Sequence, residues 1–327
     1  MGISSPRILE MADLEEPLAE CGLIVDALLG TGIKGEVTGL AASINDAIND
    51  SGKTVVSVDL PSGLNADTGE IAGRCVMADE TVTFALPKIG LLMYPGAKCV
   101  GRLTVADIGI PAPLLNDSAL KVELIDDDAA RDLLPNREPD AHKGSFGHLL
   151  VLAGSVGMTG AAALASEAAA RVGAGLVTLG CPWSLNDILE VKLTEVMTVP
   201  LAESAARSLA PDAVDQVLSL LNQRNALAIG PGLSQQPDTV KFVRTLLPKL
   251  EVPTVIDADA LNALAGKTEI LAEMKAPAVI TPHPGEMARL MGTTTAVVQS
   301  DRLKAATDAA ARFGKVVVLK GARTVIA

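Results

Sequence analysis

The chain has 327 residues, 49% of them hydrophobic, 20% charged and 2% aromatic, which suits one large or two medium domains with sizeable cores. Its 27 basic and 39 acidic residues leave a net charge of −12, which argues against nucleic acid or an anionic membrane as main partner; backbone N–H nests still allow a phosphate-bearing ligand. Four scattered cysteines without a CxxC pair, and three histidines, argue against a structural zinc site or a disulfide framework.

Residues 1–20 carry five acidic side chains and no apolar leader, and no stretch reaches the length of a membrane span, so a cytoplasmic location is expected. Cys21 to Leu29 reads as a buried strand with one carboxylate, Asp26, near its end. Gly30-Thr-Gly32-Ile-Lys-Gly35 follows, then an amphipathic helix from about Leu40 to Asp50. Thr54 to Asp59 is a second strand, stopped by Pro61-Ser-Gly63. Two strands thus end in an acid, and in open α/β sheets the ligand crevice lies at the carboxyl ends. Helix capping or loop anchoring is the alternative for both acids. Within an apolar strand end, however, Asp26 requires a cation or a hydrogen-bond donor. Glu80–Leu86 and Gly101–Ile108 read as further strands, and Pro111-Ala-Pro113 with the polar gap 116–118 marks a boundary between domains 1–118 and 119–327. The charged run from Asp126 to Asp140 reads as solvated surface.

Leu149 to Ala153 reads as a parallel strand emptying into Gly154-Ser-Val-Gly157-Met-Thr-Gly160. An Ala-rich helix ending near Gly173 and a strand from Leu176 to Leu179 complete a right-handed crossover unit. A glycine turn at a helix N-terminus offers free N–H groups and the positive end of the helix dipole to an anionic or polar ligand. Ala226–Ile229 runs into Gly230-Pro-Gly232, Thr254–Ile256 into Asp257, Ala278–Thr281 into Pro282-His283-Pro284-Gly285-Glu286, and Val316–Leu319 into Lys320. Repeated polar or Gly/Pro strand ends on one sheet edge point to a ligand site more strongly than any single motif. Asp257 and Glu286 suit either metal-water and loop geometry or structural hydrogen bonding.

The segments DALLGTGIKGEVTG (26–39), VSVDLPSGLNADTG (56–69) and TFALPKIGLLMYPG (83–96) resemble the later two thirds of the NAD(P)H-hydrate epimerase domain. HKGSFG (142–147), LAGSVGMTGAA (152–162), GPGLS (230–234), DADALNAL (257–264), TPHPGEMARL (281–290) and LKGARTVI (319–326) resemble the NAD(P)H-hydrate dehydratase domain. The order is that of the two-domain bifunctional repair family over almost the whole chain. The resemblance implies an α/β protein, a Rossmann-like epimerase domain followed by a ribokinase-like parallel-sheet domain. It implies epimerisation of the R and S hydrates of NADH or NADPH, and dehydration of the S-hydrate at the expense of ADP or ATP. In the epimerase half it assigns K+ to Asp26 and Ser62, and substrate to Gly30, Thr31, Gly32, Ile33, Lys34, Gly35, Glu36 and Asp59. In the dehydratase half it assigns the hydrate to Ala161, Gly232 and His283, and the nucleotide, with Mg2+, to Lys320, Gly321, Ala322, Arg323 and Thr324. A homo-oligomer is expected. The family's GPGNNGGDG loop and the general-base aspartate of its GTGD motif fall outside residues 1–327, so a longer parent protein and incomplete sites are expected. The competing readings are another ribokinase-like small-molecule kinase and a non-catalytic nucleotide-binding protein.

Overall fold

A computed structural model describes residues 8, 10–33, 35–71 and 73–327. The chain divides into two compact units, Met1–Leu134 and Pro135–Ala327.

The first unit holds strands β1 (Leu23–Asp26), β2 (Thr54–Val58), β3 (Glu80–Phe84) and β4 (Arg102–Ala106), all parallel and in spatial order 1-2-3-4. The helix Gly39–Asp50 crosses from β1 to β2 and turns Asn45 and Ile48 inward, where Ile48 packs with Val55, Val76 and Ala78. A second apolar group, Leu60, Leu64, Leu91, Cys99 and Val100, holds the loops after β2 and β3. The expectation of a buried strand over 21–29 is corrected here. β1 is four residues long, and Leu23 and Val25 are 50% and 60% exposed. Among the described residues β2 is its only sheet neighbour, and Asp26 alone among its residues is buried.

In the second unit β5 (His148–Leu152), β6 (Leu176–Pro182), β7 (Met197–Leu201), β8 (Ala226–Ile229), β9 (Thr254–Ile256), β10 (Ala278–Ile280), β11 (Val316–Leu319) and β12 (Val325–Ile326) form one sheet. Its order is β12-β11-β10-β9-β8-β5-β6-β7, parallel except for the final β11–β12 pair. Leu150, Val151 and Leu152 on β5 are fully buried, as a central parallel strand requires. The helix Thr159–Val172 follows the glycine turn and lays Ala162, Ala163 and Ser166 on the sheet. Small side chains allow that close approach. Gly173 ends the helix in the left-handed conformation, φ +117°, as a C-terminal glycine does.

Candidate functional site

In the first unit Asp26 is 1% exposed at the carboxyl end of β1. Its carboxylate accepts from the Ser57 hydroxyl at 2.9 Å, the Ser62 N–H at 2.8 Å and the Ser62 hydroxyl at 2.5 Å. The Ser62 Oγ in turn accepts from the Leu29 N–H at 2.9 Å. Among the described residues no Lys or Arg lies within ion-pair distance of Asp26; its charge is met by neutral donors alone. Buried Asn45 donates to the carbonyls of Ser62 and Arg74, both at 3.0 Å, and fixes the loop from beneath, while its own Oδ1 has no partner. Asp26 and Ser62, 36 residues apart, are therefore brought together.

Gly30, Thr31, Gly32, Gly35 and Glu36 form an exposed loop beyond β1, with Ile33 half-buried; Lys34 lies outside the described residues. Asp59 follows β2 in a left-handed conformation, φ +68°. Burial pushes its carboxyl group up, but hydrogen bonds from Lys88 Nζ (2.5 Å), the Thr83 hydroxyl and the Phe84 N–H outweigh this and hold it below the ordinary carboxylate value. Lys88, Ser57 and Asn45 carry these contacts without having been singled out in the sequence. The signal for Lys88 was its place just after a strand, in ALPKIG.

In the second unit the glycine turn and the Gly230-Pro-Gly232 turn lie against each other. The Gly154 N–H donates to Pro231 O at 2.9 Å, and the Ser155 hydroxyl donates to Gly232 O at 2.9 Å. At Gly232, φ +66°, a Cβ would stand 3.0 Å from the Ala161 and Met158 side chains, so Ala161 and Gly232 share one surface. Gly230 is more constrained, because its Cβ would meet the Asp257 carbonyl oxygen.

Further along the same sheet edge, Lys320 Nζ lies 2.6 Å from Asp257 Oδ1, which also accepts from the Thr281 hydroxyl at 2.8 Å. Glu286 is buried, 3.9 Å from the same amine. His283 caps the helix Pro284–Met291: its Nδ1 accepts from the N–H groups of Gly285 and Glu286, and Glu286 Oε2 accepts from the His283 N–H at 2.8 Å. With Nδ1 accepting, the ring proton sits on Nε2, 3.3 Å from Glu286 Oε1. Lys320, Asp257, Glu286 and His283 are thus one cluster at the carboxyl ends of β9, β10 and β11. The Gly321–Thr324 loop is exposed beside it.

Arg302 holds that loop. Its guanidinium donates to the carbonyls of Leu319, Lys320 and Arg323 at 3.0, 3.3 and 3.4 Å and to Gln299 Oε1, and burial lowers its pKa. Arg302 escaped notice because it sits among charges, but Arg302, Ala306, Ala309 and Phe313 recur at helical spacing on one buried face.

A glycine turn, a Gly-Pro-Gly turn and a Lys–carboxylate cluster thus lie along one edge of a mostly parallel sheet of ribokinase-like fold. A ribokinase-like superfamily protein of Enterococcus faecalis shares this fold, with a TM-score of 0.51 and 23% identity over 61% of this chain and 66% of its own. Residues 149–327 match the family model of NAD(P)H-hydrate dehydratase, and residues 2–90 match that of the YjeF-related protein N-terminus. The chain belongs to the NAD(P)H-hydrate dehydratase family. The ADP/ATP-dependent NAD(P)H-hydrate dehydratase of Bacillus subtilis, co-crystallised with ATP/Mg2+, superposes with a TM-score of 0.54 at 32% identity, covering 64% of this chain and 70% of its own. The bifunctional NAD(P)H-hydrate repair enzyme Nnr of Moorella thermoacetica is 51% identical over 319 residues, 98% of this chain and 60% of its own length. The chain therefore spans about three fifths of that relative.

Proposed function

We propose that the second unit dehydrates the S-hydrate of NADH or NADPH, using ADP or ATP, and that the first unit belongs to an epimerase that interconverts the R and S hydrates. The observation that carries this reading is the juxtaposition of the Ala161–Gly232 surface with the His283–Lys320 cluster on one sheet edge. Ala161, Gly232 and His283 contact the hydrated nicotinamide, and Lys320 to Thr324 receive the nucleotide phosphates, for which a Lys and successive backbone N–H groups are suited. The nucleotide phosphorylates the added hydroxyl. Phosphate then leaves with electron release from the ring nitrogen, giving NAD(P)H and phosphate, with AMP left from ADP or ADP left from ATP. Asp257 is the carboxylate suited to hold Mg2+, because its Oδ2 accepts no hydrogen bond among the described residues. When bound, Mg2+ offsets the phosphate charge. We place the family segments at 1–118 and 119–327, in a cytoplasmic homo-oligomer acting on small molecules and not on nucleic acid or membrane.

Support for K+ at Asp26 and Ser62, with Gly30–Glu36 and Asp59 at the hydrate, comes from a buried carboxylate that no described cation neutralises. K+ in place of choline should raise the melting temperature of the wild-type protein by a few degrees, roughly what binding of a ligand to the native state yields. Asp26→Asn should abolish that rise. Equal melting in the two salts would remove the K+ assignment.

The decisive assay incubates the protein with S-hydrate, ADP and Mg2+ and follows the return of dihydronicotinamide absorbance. Recovery of NADH with release of AMP is expected, slowed by about 10²–10⁴-fold because the general-base aspartate of the family's GTGD motif is not among residues 1–327. Nucleotide binding without recovery would favour the non-catalytic reading, and phosphorylation of a different small alcohol would favour a kinase.

A further inference from the structure

The carboxyl ends of β6 and β7 carry features that the proposed reaction leaves unused. Trp183, the only tryptophan in the chain, directly follows β6 and is 68% exposed. Large aromatic surface left in water costs free energy that burial under a ligand recovers. Next to it in sequence, Ser184 accepts from Arg207: Nε to the hydroxyl at 2.9 Å and Nη2 to the carbonyl at 3.3 Å. The Ser184 N–H and hydroxyl both donate to Glu203 Oε2, at 3.0 and 2.8 Å, so that carboxylate is already engaged. Among the described residues no carboxylate lies within ion-pair distance of Arg207, in a chain of net charge −12. Arg207 also holds a left-handed backbone, φ +53°, of the kind that concentrates at ligand sites. Its carbonyl accepts from the Val156 N–H of the glycine turn at 3.2 Å, coupling the two loops. Val156 and Met158, both exposed on that turn, flank the same edge with apolar surface.

We infer that this edge is a subsite for the adenosine end of the dinucleotide substrate, with Trp183 stacking on the purine and Arg207 binding a phosphate on its ribose. The inference rests on the hydrate-dehydratase reading above. That reading puts the nicotinamide between Ala161 and Gly232, beside β5 and β8, and His283, after β10, with the phosphoryl donor beyond it at β11. The rest of the substrate then extends away from the donor. β6 is the next strand in that direction, about 5–10 Å from β5 and β8 at ordinary strand spacing. An indole stacks on any purine, and a guanidinium suits a phosphate dianion, so the base serves both cofactors and the phosphate selects NADPH hydrate.

Because Trp183 is the sole tryptophan, its emission reports occupancy of this edge. The 327-residue protein is titrated with NADP+ and NAD+ as stable dinucleotide probes, and with nicotinamide mononucleotide, which lacks the adenosine half. Each titration is followed by calorimetry and by tryptophan emission. Both dinucleotides should quench Trp183 and the mononucleotide should not. Arg207→Gln should weaken NADP+ about tenfold or more and NAD+ less than about twofold, with Arg207→Lys recovering part of the loss. Trp183→Leu should weaken both dinucleotides while leaving the melting temperature unchanged. Calorimetric binding of NADP+ with unaltered emission, or an Arg207→Gln variant that binds NADP+ as the wild type does, would overturn the subsite and leave the proposed function standing. Absence of dinucleotide binding to the wild type would overturn both.

Discussion

Asp26 and Asp59 end neighbouring strands, yet they are stabilised by different means. Among the described residues Asp26 is met only by neutral donors, whereas Asp59 faces the Lys88 amine across a half-buried contact. The folded value of Asp59 is lowered, so its ion pair stabilises the fold above the ordinary unfolded value of 3.8, and that contribution is lost as pH falls through the lower folded value. Lys88→Met should therefore destabilise the first unit by about 1–2 kcal/mol near neutral pH. The difference from wild type should vanish in acid once Asp59 is protonated in both. Urea melts at the two pH values measure this, and an undiminished gap in acid would mean that Lys88 acts through packing. The two acids were legible in the sequence as strand-end carboxylates. The family resemblance already set Ser62 beside Asp26, but Lys88 was not legible as the partner of Asp59, because it reaches that carboxylate through a loop whose course is set by packing around Leu60, Leu64 and Leu91.

At the scale of elements, the turns decide the site. Gly230→Ala places a methyl against the Asp257 carbonyl and demands φ +137° of an alanine, so the loss should exceed about 3 kcal/mol. Gly157, φ +81°, has no atom within 4 Å of its would-be Cβ, and its alanine variant should cost only about 1 kcal/mol. Thermal melts of the pair separate close approach from backbone conformation; equal losses would show that conformation alone matters. Arg302 links an element to a loop: its helix Arg302–Phe313 delivers a guanidinium to three carbonyls of the segment 319–323. Arg302→Met should leave those carbonyls unpaired, cost about 2–4 kcal/mol and weaken ADP binding more than it weakens NADP+. Calorimetry with each ligand checks this, and equal weakening of both would point to general loss of fold.

At the scale of the whole molecule, each unit has its own sheet and its own core. Nearly every residue from 107 to 140 is exposed, and Lys121, Arg131 and Arg137 lie within that stretch. Brief trypsin treatment should therefore cut there first and release a resistant product carrying the eight-stranded sheet. Mass spectrometry of the early products would show it, and first cuts within 149–327 would contradict the division. Six of the eight strands of the second unit were legible, and Ala226–Ile229, Thr254–Ile256 and Val316–Leu319 to the residue, since they are short apolar runs closed by Gly, Pro or polar residues; β7 and β12 carry no such run and were not read. Hydrophobic runs and turn chemistry are local properties, and the sequence by itself determined them, together with the family motifs written at the strand ends. Which strand lies beside which is not local. Only the tertiary structure decided that β8 sits against β5, which unites Gly232 with Ala161, and that Lys320 reaches Asp257 across 63 residues. The same holds for Arg302 turned inward. An apolar run reads alike in the centre and at the edge of a sheet, and a charge reads alike in water and beneath a loop; the neighbours supplied by folding make the difference.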